Sequence, residues 1–223
     1  MVRADTAAGS ALTNVLAKPS MRGMLHLIAF PLSIVSGLVV VVLAQGTAAT
    51  IGAAVYAVSG VVLFGVSALY HRGHWDDETR AFLRRLDHSN IFLLIAGTYT
   101  PIAVTLLDGT ARTLELTIIW IGAIAGIVFR VVWLSAPRWL YTPFYVALGW
   151  VAVAFMPEIA RNGGGTVTVL LILGGLAYSI GGVVYGLKRP DPIPAVFGFH
   201  EIFHSCTLIG FAAHYAAVVI AVR

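Results

Sequence analysis

Residues 24–44 read MLHLIAFPLSIVSGLVVVVLA, a stretch of 21 residues that carries no Asp, Glu, Lys or Arg. An α-helix rises about 1.5 Å per residue, so this stretch can cross the hydrocarbon core of a bilayer, which is about 30 Å thick. The preceding residues, 1–22, are polar and small and lack the pattern of a cleavable signal peptide. The sequence therefore predicts a short cytosolic segment over residues 1–22, followed by a membrane-spanning helix that stays in the mature protein.

The composition of the whole chain indicates the same environment. Hydrophobic residues make up 59% and charged residues 11%, which leaves too little polar surface to coat a soluble domain. The net charge of +4 does not indicate a nucleic-acid partner, because the Lys and Arg residues lie in short loops between apolar runs, as in membrane proteins. Cys206 is the one cysteine, so metal ligands would have to be histidines or carboxylates.

The sequence predicts an all-α, seven-transmembrane helix bundle over residues 23–223, built as one domain. The fifth apolar run is the shortest and is bracketed by Pro143 and Pro157. The seven runs are residues 24–44, 48–70, 89–107, 114–134, 141–156, 166–187 and 196–222.

The basic residues predict how the bundle is oriented. With a cytosolic N-terminus, eleven of the fourteen Lys and Arg residues fall on the cytosolic side, and three fall outside. We therefore expect a cytosolic N-terminus and an external C-terminus. The eleven are Arg3, Lys18, Arg22, Arg72, Arg80, Arg84, Arg85, Arg130, Arg138, Lys188 and Arg189; the three are Arg112, Arg161 and Arg223.

A pair of histidines near the start of the last run predicts a metal site. Residues 199–206 read FHEIFHSC, so His200 and His204 lie one helical turn apart on one face. Zinc usually takes three or four protein ligands, so other segments would have to supply the remainder. Two alternatives remain: simple packing of the two rings, and the His-Glu-x-x-His pattern of metallopeptidases with Glu201 as general base. Glu201 could also orient a ligand or pair with an arginine on the cytosolic side.

The predicted topology brings three further residues to the same membrane depth. Ser67 and His71 lie four residues apart at the cytosolic end of the second helix, and Asp87 lies just before the third. Equal depth does not establish that these groups are neighbours, so their contact with His200 and His204 is a hypothesis. Taken alone, Asp87 could also be a helix N-cap.

These motifs together resemble the hemolysin III proteins, the bacterial branch of the progestin and adipoQ receptor family, in a superfamily with the alkaline ceramidases. The resemblance rests on Ser-x3-His at 67–71, Asp87, His-x3-His at 200–204, and the stretches KPSMRG (18–23), RLDHSN (85–90) and GTYTP (97–101). It implies a seven-helix protein of the bacterial inner membrane. It also implies Zn²⁺ held by His71, His200 and His204, with Asp87 holding a water on the metal and Ser67 lining the site.

Such a site predicts a zinc-dependent hydrolase of amide or ester bonds in lipids. A zinc ion held by three neutral imidazoles acidifies a bound water, and Asp87 could accept the proton. Membrane lipids would then be the substrate or the ligand. Two alternatives stay open: a pore-forming, cytolytic protein, and a lipid-sensing receptor, each with structural zinc.

The remaining polar residues of the helices are expected to have structural roles. His26, His74 and His88 are predicted to be solvated at the cytosolic interface. His214 should form a structural hydrogen bond, since it lies almost three turns from His204. Arg130 is predicted to extend its charge to the cytosolic interface.

Overall fold

The computed structural model describes residues 18–223, which fold into helices without a named β-strand. This confirms the all-α prediction for that part of the chain; residues 1–17 of the predicted cytosolic segment lie outside it. Residues 18–223 form seven α-helices, and six of these, all except α5, are long and apolar enough to cross a membrane. In chain order the elements are α1 Met24–Leu43, α2 Thr47–Arg72, α3 Asp77–Leu106, α4 Gly109–Val132, α5 Arg138–Gly149, a 3-10 helix Val151–Ala154, α6 Met156–Leu187 and α7 Phe199–Ala221.

The first and last helices run in the same direction. Before they begin, the backbone N–H of Ser20 donates to the carbonyl of Ala195 at 3.0 Å. After they end, the N–H of Gln45 donates to the carbonyl of Val222 at 2.8 Å. We call the end of the bundle at Ser20 the near end and the end at Gln45 the far end.

Helix α3 begins well before the predicted third run. The Asp76 carboxylate accepts a hydrogen bond from the backbone N–H of Thr79 at 2.8 Å, and Asp77 and Glu78 follow in the first turn. This arrangement is a typical N-cap with favourable charges at the helix N-terminus. Asp87 therefore lies inside the helix, so its interpretation as an N-cap is wrong.

The fifth predicted run does not form one continuous helix over residues 141–156, so that prediction is wrong. Helix α5 ends at Gly149, and a 3-10 helix follows. The Tyr99 hydroxyl of α3 donates to the carbonyl of Gly149 at 2.7 Å and accepts from the N–H of Ala152 at 2.8 Å. One side chain thus satisfies a free backbone acceptor and a free backbone donor at the break.

Residues 138–163 nevertheless lead the chain from the near end to the far end. At the near end, the Arg138 guanidinium lies 4.5 Å from the centre of the Tyr185 ring. At the far end, the Asn162 side chain donates to the carbonyl of Leu106 at 2.8 Å. Gly164 then leaves helical geometry with a φ of 76°, which a glycine adopts without strain. The rest of α6 returns to the near end, close to the predicted sixth run.

The main hydrophobic core joins α1, α2, α3, α6 and α7. Tyr56, Phe64 and Val218 are among its fully buried members. Helices α2 and α3 approach closely because Gly52 faces Pro101, where an added Cβ would lie 2.8 Å from the proline Cα. This close contact holds α2 against α3, the helices that carry His71 and Asp87.

Candidate metal centre

Three histidines from two distant segments meet at the near end of the bundle. His71 lies in the last turn of α2, and His200 and His204 lie in the first two turns of α7. All three are buried, and one ring nitrogen of each lies within 4.8 Å of the others. The Nε2 atoms of His71 and His200 are 3.2 Å apart. The structure therefore brings the three predicted ligands together.

The donor set fits a transition-metal ion. Three imidazole nitrogens are the ligands of several zinc sites that leave a coordination position open. The triad of His71, His200 and His204 is also buried, with each residue no more than 8% exposed. His71, His200 and His204 could thus bind a metal, and zinc stays the predicted ion because imidazole suits it.

Asp87 and Ser67 lie beside this triad as predicted. The Asp87 Oδ2 atom is 3.8 Å from Nε2 of His71, and its side chain is 12% exposed. Ser67 lies one turn before His71 on α2 and is buried. Their proximity to the histidines is a feature of the structure, while their catalytic roles stay predictions.

A fourth histidine belongs to the same cluster. His26 of α1 is 3% exposed, and its ring stacks on that of His204 with centroids 3.7 Å apart and an interplanar angle of 4°. Its Nδ1 atom is 2.8 Å from the hydroxyl oxygen of Ser67. The prediction that His26 is solvated is therefore wrong. The signal in the sequence was a single histidine in an apolar run, at the depth of the other site residues.

Arg130 of α4 is also buried rather than extended to solvent. It is 1% exposed, its Nη2 atom lies 2.7 Å from Nδ1 of His88, and its guanidinium carbon lies 4.1 Å from the centre of the Tyr141 ring. The prediction that Arg130 extends its charge to the interface is therefore wrong, and His88 is half-buried with its Nδ1 beside Arg130 rather than fully solvated. His214 does form the predicted structural hydrogen bond, with Nε2 3.1 Å from the carbonyl of Leu171.

Glu201 uses both of its carboxylate oxygens away from the triad. Its Oε1 atom is 2.5 Å from Nε of Arg22, and its Oε2 atom accepts from the backbone N–H of Gly198 at 2.9 Å. The predicted pairing with an arginine is confirmed. A general base needs a free oxygen within reach of the water that it deprotonates, so the structure disfavours the metallopeptidase-like role.

Replacing Glu201 with Gln should destabilise the protein without removing metal. The change weakens the charged contact to Arg22, so we expect the free energy of unfolding to fall by about 1–3 kcal/mol. Thermal unfolding in detergent, together with metal analysis, checks this. Loss of turnover at unchanged stability and metal content would contradict it and support the metallopeptidase-like role.

Gly23 holds the start of α1 directly against His71. It has a φ of 77°, and an added Cβ would overlap the Cβ of His71. Gly23→Ala should therefore displace His71 and weaken metal binding. Gly46→Ala is the matched control, since Gly46 has a φ of 85° but nothing within 4 Å of an added Cβ. We expect Gly23→Ala to bind metal more weakly than Gly46→Ala, and equal metal affinity in the two variants would contradict the expectation.

An apolar cavity of about 110 Å³ adjoins the triad inside the bundle. His200 and His204 lie in its wall together with Ser67 and Asp87. Most of the remaining wall is aliphatic or aromatic and includes Ile91, Leu94, Val146, Trp150 and Phe203. The polar groups of the site thus face a space suited to hydrocarbon.

Six apolar helices and a buried polar site at one end of the bundle define a multi-pass membrane protein. The chain belongs to the hemolysin III family, because the family model described as "Haemolysin-III related" matches residues 14–215. It is 35% identical to the hemolysin-3 homolog of Bacillus subtilis (strain 168) over 164 residues, which is 74% of each chain. It is 32% identical to hemolysin-3 of Bacillus cereus over 210 residues, which is 93% of each chain. The family resemblance seen in the sequence motifs is thus confirmed.

Proposed function

We propose that this protein is a zinc-dependent hydrolase of amide or ester bonds in membrane lipids. One observation carries the proposal. Three buried imidazoles have nitrogens within 4.8 Å of one another, a carboxylate lies 3.8 Å from one of them, His71, and the other two, His200 and His204, line an apolar cavity. Buried ionisable groups at membrane depth are costly, so a cluster of this kind favours a functional role over simple packing.

Each polar residue would have a distinct task. His71, His200 and His204 would hold zinc, which when bound acts as a Lewis acid toward a carbonyl oxygen and acidifies water. Asp87 would accept a proton from the attacking water and later return it to the leaving group. Ser67, held by its contact with His26, would line the site where water and substrate meet.

The apolar cavity supports a lipid as the substrate. Its wall offers mostly hydrocarbon and aromatic surface, and His200, His204 and Asp87 line it at one end. A hydrocarbon chain could pass from the bilayer into this cavity without contacting water, and the bond to be cleaved would lie at the histidines. Membrane lipids are therefore the proposed substrate class.

We also propose seven membrane crossings, with the near end in the cytosol and the C-terminus outside. Residues 138–163 supply the additional crossing as a broken helix. The common direction of α1 and α7 requires an odd number of passages between the two ends. The proposed location is the inner membrane of a bacterium, and the two Bacillus relatives support a bacterial origin.

The test is hydrolysis by the purified full-length protein in lipid nanodiscs. We expect fatty acid to be released from a lipid amide or ester, lost after chelation and restored by zinc. A panel that includes ceramides and glycerolipid esters covers both bond types. Absence of product from every substrate, in folded protein shown to contain zinc, would overturn the proposal.

The names of the relatives favour a second candidate, a cytolytic pore. Both relatives are named hemolysin-3 or a homolog of it. Conductance in proteoliposomes that survives removal of zinc and of the Asp87 carboxylate would support this candidate. Saturable lipid binding without product would instead support a lipid-sensing receptor with structural zinc.

A further inference from the structure

A second, polar cavity opens at the near end, beside the histidine triad. Its volume is about 520 Å³, and His71 and His200 are part of its wall. In the part of the chain that the structure describes, six cationic side chains and no carboxylate line it. We call this cavity the basic vestibule; its cations are Lys18, Arg22, Arg80, Arg84, Arg130 and Arg138.

Arg130 is the most informative of these cations. It is 1% exposed, and its polar contacts among residues 18–223 are His88 and the carbonyls of Trp133 and Leu134. None of these groups carries a negative charge, and the Nε atom of Arg130 has no hydrogen-bond partner among residues 18–223. A buried guanidinium without a counter-charge is costly, so an anion in the vestibule would compensate it.

The other cations are also mostly without carboxylates. Among them, Arg22 alone forms an ion pair in the described residues, with Glu201. Arg138 lies over the rings of Tyr185 and Phe199. No ion pair forms at Arg80 or Arg84 within residues 18–223. Five positive charges therefore face one cavity without an anionic partner among residues 18–223.

Lys18 lies in the electrostatic field of the same positive charges. Its ammonium group donates to the carbonyl of His71. Partial burial, and then the charges of Arg80, Arg22 and Arg72, lower the pKa of Lys18. A preference for basic residues on the cytosolic side accounts for the sign of these charges, but not for their convergence on one cavity or for the burial of Arg130.

We propose that the basic vestibule binds a phosphate group, presented by the headgroup of an anionic phospholipid or by a small soluble phosphate. Arginine forks match the oxygens of phosphate and bind them through paired, charge-assisted hydrogen bonds. Lys18 adds a compact charge at the same cavity. A phosphate with a double charge could neutralise cations from several segments at once.

The vestibule adjoins the apolar cavity beside the triad. Four side chains belong to the walls of both: His88, Tyr141, Tyr185 and His200. A lipid with its phosphate in the vestibule would direct its hydrocarbon past the histidines into the apolar cavity. This step rests on the proposed function and narrows its substrate class to phosphate-bearing lipids, whereas binding of phosphate itself does not depend on hydrolysis.

Two adjacent arginines of α3 provide a matched pair of variants. Arg84 lines the vestibule, whereas Arg85 points its guanidinium to the carbonyl of Val131 at 3.2 Å and does not line it. Arg84→Gln and Arg85→Gln remove the same charge from the same helix and the same end of the bundle. Arg84 is exposed, so its variant should fold like the wild type.

The experiment is calorimetric titration of the purified full-length protein before and after chelation of bound metal. If a metal ion rather than the arginines held the phosphate, phosphate binding would be lost in the chelated protein. The probes are inorganic phosphate, dihexanoyl phosphatidic acid and, as a phosphate-free control, dihexanoylglycerol. We expect Arg84→Gln to weaken binding of a phosphate probe by about threefold to tenfold, and Arg85→Gln by less than about twofold. Arg80→Gln combined with Arg84→Gln should weaken it further.

The two sources of phosphate give different results. Phosphatidic acid bound about tenfold or more tightly than inorganic phosphate would assign the site to a lipid headgroup, and similar affinities would assign it to a soluble phosphate. No binding of either probe, or equal losses in Arg84→Gln and Arg85→Gln, would overturn the proposal. Phosphate binding that depends on Arg84, in a protein that hydrolyses no lipid, would overturn the proposed function but support the vestibule.

Discussion

Alanine at His71, His200 or His204 should remove the metal, from about one zinc per chain in the wild type to nearly none in each variant. The physical reason is that a zinc site of this type has three protein ligands, and two imidazoles hold the ion poorly. The three rings already lie with their nitrogens within 4.8 Å, so each contributes to one shared site. Elemental analysis of protein purified in detergent measures the effect.

Two other histidines serve as controls for this measurement. His74 is exposed at the same end of the bundle, and His214 is hydrogen-bonded to the carbonyl of Leu171. Alanine at either position should leave the zinc content unchanged. Folded wild-type protein without metal would remove the hydrolase from consideration and return the three histidines to packing or pore lining.

Asp87→Asn should keep the metal but lower turnover by about 10²- to 10⁴-fold, the usual contribution of a general acid–base group. Asparagine has nearly the same size as aspartate, so the triad should be undisturbed. It cannot accept a proton from water, and its amide would be 3.8 Å from His71 at the position of the carboxylate. The measurement pairs the rate of lipid hydrolysis with zinc content.

Asp77→Asn is the matched control for that variant. Asp77 lies on the same helix but is exposed in its first turn. It should retain wild-type turnover and wild-type metal content. Full activity in Asp87→Asn would show that the carboxylate is not the proton acceptor, and loss of zinc there would show that Asp87 is needed to hold the ion.

Most helix positions followed from the sequence because the thickness of the bilayer fixes how long an apolar run must be. The predicted run 24–44 corresponds to Met24–Leu43, and 48–70 corresponds to Thr47–Arg72. The start of helix α3 differs from the predicted start because the first turns of the helix are polar. A search for apolar runs finds only the part of a helix that suits lipid. The N-cap signal at Asp76 marks the true start.

The composition of the histidine cluster was only partly predictable. The four-residue spacing of His200 and His204 places both rings on one face of a helix, whatever surrounds them. The burial of His26 and Arg130 depends instead on which helices lie beside α1 and α4. The spacing of residues along the sequence does not show which helices are neighbours, so both residues were predicted to be interfacial.

The two hydrogen bonds of the Tyr99 hydroxyl have a consequence for the order of assembly of the chain. If residues 138–163 cross the bilayer as we propose, the carbonyl of Gly149 and the N–H of Ala152 cannot bond to water there, and without Tyr99 they would lose these partners. We therefore expect the broken segment to become stable in lipid only when α3 already lies beside it. Synthesis from the N-terminus provides this order, whereas a circular permutant that inserts α5 before α3 would leave the break unsatisfied until α3 arrives.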